Sequence, residues 1–187
     1  MNYNQVFVKA LENVLEEYRR ERIRFYSEKD LQTHLFCECL GIMRSEGFST
    51  PFKIYAERGV FDKRKKIDLV LSDDDVLIEL KLEPDYSGVS KPVVFTTIRE
   101  AGGRGYGSVE EDLQKIDEYA SKGKQAHFVM LDEDGRHAQK IQGDWKEMTV
   151  RGRRRYWLHV YNQSEKTAHP GEKRDEYARN SIDSLCA

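Results

Sequence analysis

Residues 63–83 read Lys63-Arg64-Lys65-Lys66-Ile67-Asp68-Leu69-Val70-Leu71-Ser72-Asp73-Asp74-Asp75-Val76-Leu77-Ile78-Glu79-Leu80-Lys81-Leu82-Glu83. Lys66 to Leu71 and Val76 to Glu83 are strand-like runs on either side of a polar tip, which is the signature of a hairpin. Alternation places Val76, Ile78, Leu80 and Leu82 on one face of the second run. Glu79, Lys81 and Glu83 share the opposite face with Leu77. Closing the hairpin over Asp73-Asp74, or over the four residues Ser72 to Asp75, gives the same register, in which opposed positions sum to 147. Asp68 then faces Glu79. Opposed residues have β-carbons roughly 5 Å apart, and like charges there destabilise the pair. Two carboxylates so placed, flanked by apolar residues, call for a cation between them, and carboxylates with waters and a phosphate are how Mg²⁺ is usually held. Lys81, one pleat along, is placed to hydrogen-bond a water or a phosphate oxygen.

Outward from this hairpin, the chain alternates helical and strand periods. Val6, Ala10, Leu11, Val14, Leu15 and Tyr18 make one stripe over residues 3–20, the pattern of an amphipathic helix. Ser27 with Asp30 forms a capping box opening a second helix. That helix carries Leu31, Leu35, Cys39 and Ile42 on one face and should end near Gly47. Pro51 to Glu57 reads as a first strand, and residues 93–98 as a short extra one. A third helix follows Ser108, with Val109, Leu113, Ile116 and Tyr119 as its stripe and Gly123 as its stop. Ala126 to Leu131 is a buried-type strand. Met148 to Val150 and Tyr156 to Tyr161 flank Arg151 to Arg155 as a hairpin. The order is an α/β mixed sheet flanked by helices. One domain over residues 1–162 is expected, with a polar tail at 163–187.

Recognition of a family begins at the hairpin. Asp68 followed by Glu79-x-Lys81 resembles the active-site motif of the PD-(D/E)XK nuclease superfamily, the restriction-endonuclease-like fold. Residues 28–131 are similar to its common core, and Glu28-Lys29-Asp30-Leu31 fits the acid-x-x-Leu helix that recurs there. Lys66-Ile67 stands where a proline is expected before the aspartate. The resemblance implies Mg²⁺-dependent phosphodiester hydrolysis, with Mn²⁺ as a substitute and DNA as the favoured substrate. It makes Asp68, Glu79 and the Leu80 carbonyl metal ligands. Lys81 would assist the attacking water, and Glu28 would sit at the periphery.

Each of these residues also has a plainer reading. Asp68, Glu79 and Lys81 read alternatively as a salt-bridged face on an edge hairpin, and Glu28 as part of the helix cap. Glu38 is a rival acid on the second helix, and Glu57 reads as an exposed strand-end charge. Lys63, Arg64, Lys65 and Lys66 lead into the Asp68 strand and suit phosphate steering, or simply a solvated turn. Arg153, Arg154 and Arg155, beside Tyr156 and Trp157, suit a nucleic-acid backbone or a solvated hairpin tip. The glycine-rich stretch Gly102 to Gly107 lacks the Gly-Lys-Ser/Thr of a P-loop and reads as a loop over the cleft. Asp112 and Lys115, on an amphipathic helix, are expected to face outward and stand outside the site.

Composition narrows the classes. The 187 residues carry 31 basic and 33 acidic side chains, a formal charge of −2 that excludes a histone-like polycation. Three cysteines at uneven spacing suit a reduced, cytoplasmic protein. No apolar run nears the roughly 20 residues that span a bilayer, so no membrane is expected. A double-strand break commonly takes two such sites, which makes a homodimer one option. The competing class is a binding module that keeps the fold for nucleic-acid or protein contact without hydrolysis; an enzyme acting on small phosphoesters fits the residues less well.

Overall fold

The structure, a computed structural model, describes residues 1–60, 66–85 and 109–163. The expected strand at 93–98, the glycine-rich stretch, Lys63 to Lys65 and residues 164–187 lie outside those residues.

Helix α1 spans Tyr3–Arg19 and buries the expected stripe together with Phe7. Asn2 and Gln5 cap it reciprocally, each side chain taking the other's backbone N–H. Helix α2 spans Glu28–Ser45. Ser27 accepts the Asp30 N–H, but the Asp30 carboxylate accepts from Tyr26 N–H, one residue earlier than a strict capping box places it. Gly47, at φ 72°, ends α2 with Phe48 N–H bonded back to the Met43 carbonyl.

Six strands follow: β1 (Ile54–Gly59), β2 (Lys66–Leu71), β3 (Val76–Glu83), β4 (Gln125–Asp132), β5 (Lys146–Val150) and β6 (Arg153–Gln163), with helix α3 (Val109–Ser121) between β3 and β4. The sheet order is β1-β2-β3-β4-β6-β5. Among the described strands only β3 and β4 run parallel, joined by the crossover that carries α3; the other neighbours are antiparallel. The molecule is therefore an α/β fold with a mixed sheet between helices. α1 and α2 pack on one face, against Leu69, Leu71, Ile78, Leu80 and Leu82. Val109, Ile116 and Tyr119 of α3 pack on the other, against Val70, Leu77, Phe128 and Met130.

Two boundaries differ from expectation. β1 starts three residues later than Pro51, which has no N–H to give a ladder. The second hairpin is tighter than expected, because Arg151 and Gly152, at φ 54° and 69°, make a two-residue turn. Arg153, Arg154 and Arg155 therefore pair with Val150, Thr149 and Met148 inside the sheet instead of forming its tip. No helix among the described residues is long and apolar enough to cross a membrane.

Candidate active site

The β2–β3 ladder joins Leu71 to Val76, Val70 to Leu77 and Leu69 to Ile78, each pair in the expected register. The loop between them is the four-residue one, with Ser72, Asp73 and Asp74 all at positive φ. Beyond Leu69 and Ile78 the recorded pairing stops, and a side chain takes over. Asp68 Oδ2 accepts the Leu80 N–H at 2.7 Å, which satisfies a donor the parted ladder leaves open. On the other side, the β1 register skips the Glu57–Asp68 step, where Glu57 takes φ 54°. The Asp68 carbonyl instead accepts Gln32 Nε2 of α2 at 2.6 Å. Asp68 is thus held by side-chain bonds at a point where backbone pairing lapses on both flanks.

Glu79 and Lys81 face α3, on the same side as Leu77. Glu79 is 2% exposed. The Tyr119 hydroxyl donates to its Oε1 at 3.3 Å, and Lys115 Nζ lies 3.7 Å from the same atom. Burial, and next the charge of Asp68, push the Glu79 carboxyl up to about 8. Burial also raises Asp68, against the Leu80 N–H and Lys81, which lower it.

Lys81 sits at the centre of the group. Its Nζ lies 2.8 Å from Asp112 Oδ2 and 3.5 Å from Glu28 Oε2, and it donates to the Leu80 carbonyl at 3.2 Å. Burial works to lower this ammonium, but Glu28, Asp112 and Asp68 outweigh it and hold Lys81 above the ordinary lysine value. Glu28 opens α2. Burial moves it up to about 7, against the pull of Lys81, although its side chain keeps 40% exposure to water.

Asp112 and Lys115 correct the outward placement expected for them. Asp112 is 1% exposed, and Lys115 pairs with it and approaches Glu79. The stripe carries the signal: Asp112 lies three residues after Val109 and four before Ile116, both buried, so a helix that buries them must bury Asp112. Glu38 bonds Asn13 of α1, and Glu57 pairs with Lys29 and takes Gln32 Nε2, so neither joins the Lys81 group.

No family model, curated protein or solved structure matches the chain.

The basic residues separate. Lys66 is exposed at the start of β2. Arg155 is buried, with its guanidinium on Asp85 Oδ2 at 2.8 Å and on the Glu133 carbonyl. Arg153 also holds Asp85, at 2.6 Å. Arg154 is 74% exposed beside Glu147 at 3.5 Å. Of the three arginines, Arg153 and Arg154 keep the exposure expected for them; Arg155 is an internal support.

Asp68, Glu79 and the Leu80 carbonyl are all oxygen donors, which suits a hard divalent cation. Among the described residues no group of three or more His, Cys, Asp or Glu side chains stands ready to hold a metal ion. Mg²⁺ is nonetheless bound by one or two carboxylates when substrate phosphates complete its shell. The donor set fits an ion of that kind, provided Lys115 yields at Glu79 and Lys81 yields at the Leu80 carbonyl.

Proposed function

We propose that the protein is a metal-dependent nuclease of restriction-endonuclease-like fold that hydrolyses phosphodiester bonds, in DNA by preference, with Mg²⁺ as its cofactor. The observation that carries this reading is the clustering of Asp68, Glu79, Glu28 and Asp112 about Lys81 where the β2–β3 ladder parts. Asp68, Glu79 and the Leu80 carbonyl would hold the ion, which supplies Lewis-acid charge at the phosphate and lowers the pKa of a bound water.

The chain's own residues do the rest. Lys81 stays protonated near neutrality, so it serves as a hydrogen-bond donor to the attacking water or to a phosphate oxygen, not as a base. Glu28, near 7 and beside Lys81, would take the proton that water gives up as its oxygen bonds phosphorus, while the bond to the leaving oxygen breaks and that oxygen takes a proton from bulk water. Of the basic residues expected to meet nucleic acid, Lys66, Arg153 and Arg154 are exposed and would be open to its backbone.

One observation favours the binding-module reading: both lysines of the cluster already neutralise its acids. Incubating the protein with supercoiled, linear and branched DNA in Mg²⁺, Mn²⁺ or EDTA separates the two. Cleavage that needs metal and vanishes in Asp68→Ala and Glu79→Ala is the expected result. If no substrate is cut with either metal, the binding module takes its place.

A further inference from the structure

The link from α1 into α2 ends at Glu28 and so runs up to the Lys81 cluster. Of the arginines along it, Arg19 and Arg20 pair with Glu16, and Arg22 pairs with Glu17. Arg24 is exposed, and among the described residues no acid meets it. Tyr26 is 58% exposed; besides Met1, it is the one large apolar side chain among the described residues that stands so far into water.

Single exposed apolar residues are common on protein surfaces; what sets Tyr26 apart is its mounting. Phe25, between Arg24 and Tyr26, is buried, with its ring stacked on Tyr18 of α1 at 5.1 Å and edge-to-face with His34 of α2 at 5.6 Å. The Tyr26 N–H donates to Asp30 Oδ2 at 2.9 Å. The backbone is thus clamped by both helices while the side chains on either side of Phe25 stand in water. An aromatic ring on a fixed backbone loses little freedom when a flat partner stacks on it. Tyr26 is also close to the cluster. It lies two residues before Glu28, so their α-carbons are within about 7 Å, and Glu28 Oε2 is 3.5 Å from Lys81 Nζ.

We propose that Arg24 and Tyr26 form a single-strand subsite: the Tyr26 ring takes an unpaired nucleobase, and the Arg24 guanidinium takes a backbone phosphate of the strand whose scissile phosphate lies at Lys81. The proposal rests on the nuclease reading for its ligand and deepens it by naming the substrate class, nucleic acid with an unpaired base beside the cut. A base inside a duplex has both faces covered by its neighbours in the stack. An unpaired base offers a face, and every base has one, so stacking is tolerant of sequence. The subsite therefore selects strands that are single, frayed or opened, and reads no sequence.

Fluorescence anisotropy in EDTA reads binding apart from cleavage. The full chain is titrated with labelled oligothymidylate, with the same oligomer carrying abasic residues, and with a blunt duplex. Tyr26→Ala should weaken oligothymidylate binding about tenfold, while Tyr26→Phe keeps it. That loss should vanish on the abasic oligomer, which a purely structural effect of the substitution would not do. Arg24→Ala should weaken binding of both oligomers and flatten the log–log salt dependence by about 0.7, the value for one phosphate of a single strand. Tyr26→Ala should leave that slope alone. Urea midpoints of the variants should match wild type, since both side chains are exposed. If Tyr26→Ala binds oligothymidylate as wild type does, or if the duplex shows the same dependence on Tyr26, the subsite is wrong and the nuclease reading still stands on its cleavage assay. If wild type binds no oligomer, the subsite falls as well. Binding that depends on Tyr26, without metal-dependent cleavage, keeps the subsite and removes the nuclease reading.

Discussion

Replacing Glu79 with glutamine should stabilise the metal-free protein, and the gain should grow with pH. Burial first, and Asp68 second, hold the Glu79 carboxyl near 8 in the folded chain, against 4.5 ordinarily. The folded protein thus keeps a proton that the unfolded chain releases, so ionisation works against folding above pH 4.5 and stops adding to the cost near pH 8. At pH 7 the cost is about 3 kcal/mol. Glutamine removes it but gives up the Lys115 approach at 3.7 Å, a partly exposed pair worth at most about 1 kcal/mol. The Tyr119 hydroxyl can still donate to the amide oxygen. The net gain is about 2 kcal/mol at pH 7, near zero at pH 4.5 and larger at pH 8.5. For a chain of this size that is a rise in melting temperature of about 4–8 °C at pH 7. Urea unfolding of both proteins in EDTA at the three pH values measures it. A difference that does not change with pH, or a Glu79→Gln protein less stable than wild type at pH 8.5, would refute the electrostatic account of the site.

Other outcomes follow from the same contacts. Lys81→Ala should lower single-turnover DNA cleavage by about 10²–10³ with a far smaller loss of DNA affinity, as expected for a contact that acts in the transition state; a wild-type rate would show the active site to be misassigned. Arg155→Met should destabilise by about 3 kcal/mol in urea unfolding, since it strips a buried partner from Asp85 and the Glu133 carbonyl. Arg154→Ala should change stability by less than about 0.5 kcal/mol and, if Arg154 meets a phosphate, lower the salt slope of DNA binding by about one. Burial, with Lys146 adding to it, holds His159 near 4 against 6.5, so its contribution is whole above pH 6.5 and is lost as pH falls towards 4. His159→Gln keeps a donor for His127 Nδ1, 3.0 Å away, and the stability advantage of wild type over it should shrink by about 2 kcal/mol between pH 7.5 and 5.

Much of the fold was legible because local periodicity and burial agree. The α1 stripe, the Gly47 stop and the hairpin register each depend on residues within one element or one turn, where spacing dictates which side chains share a face. The second hairpin was harder to read. Three arginines in a row look solvated, yet Arg155 and Trp157 are two apart on one strand, so they share a face, and Trp157 is in the core. Parity alone would have sent Arg155 inward. The position of β6 between β4 and β5 has no local signal at all, since it is decided by which strand edge the hairpin meets.

The site divides along the same line. Asp68, Glu79 and Lys81 come together by register and Glu28 by the acid-x-x-Leu resemblance, whereas Asp112 goes against the expectation that an acid on an amphipathic helix is solvated. Of the plainer reading of the hairpin, as a salt-bridged edge, the edge is lost to the sheet order, since β3 lies between β2 and β4, while the salt bridges are present, with Lys81 and Lys115 on Glu28, Asp112 and Glu79. Buried ion clusters are costly and replaceable by apolar side chains at no loss of stability. Further along the same row of β3, Glu83 is also buried, but the Arg136 guanidinium pairs with it and the His137 imidazole lies 3.7 Å away, and that arrangement reads as architecture. Around Lys81 the acids outnumber the cations, and Glu28 and Glu79 are pushed to about 7 and 8. An arrangement that raises its own carboxyls towards neutrality costs folding free energy, and under the metal-dependent reading proposed above an arriving cation would offset that cost.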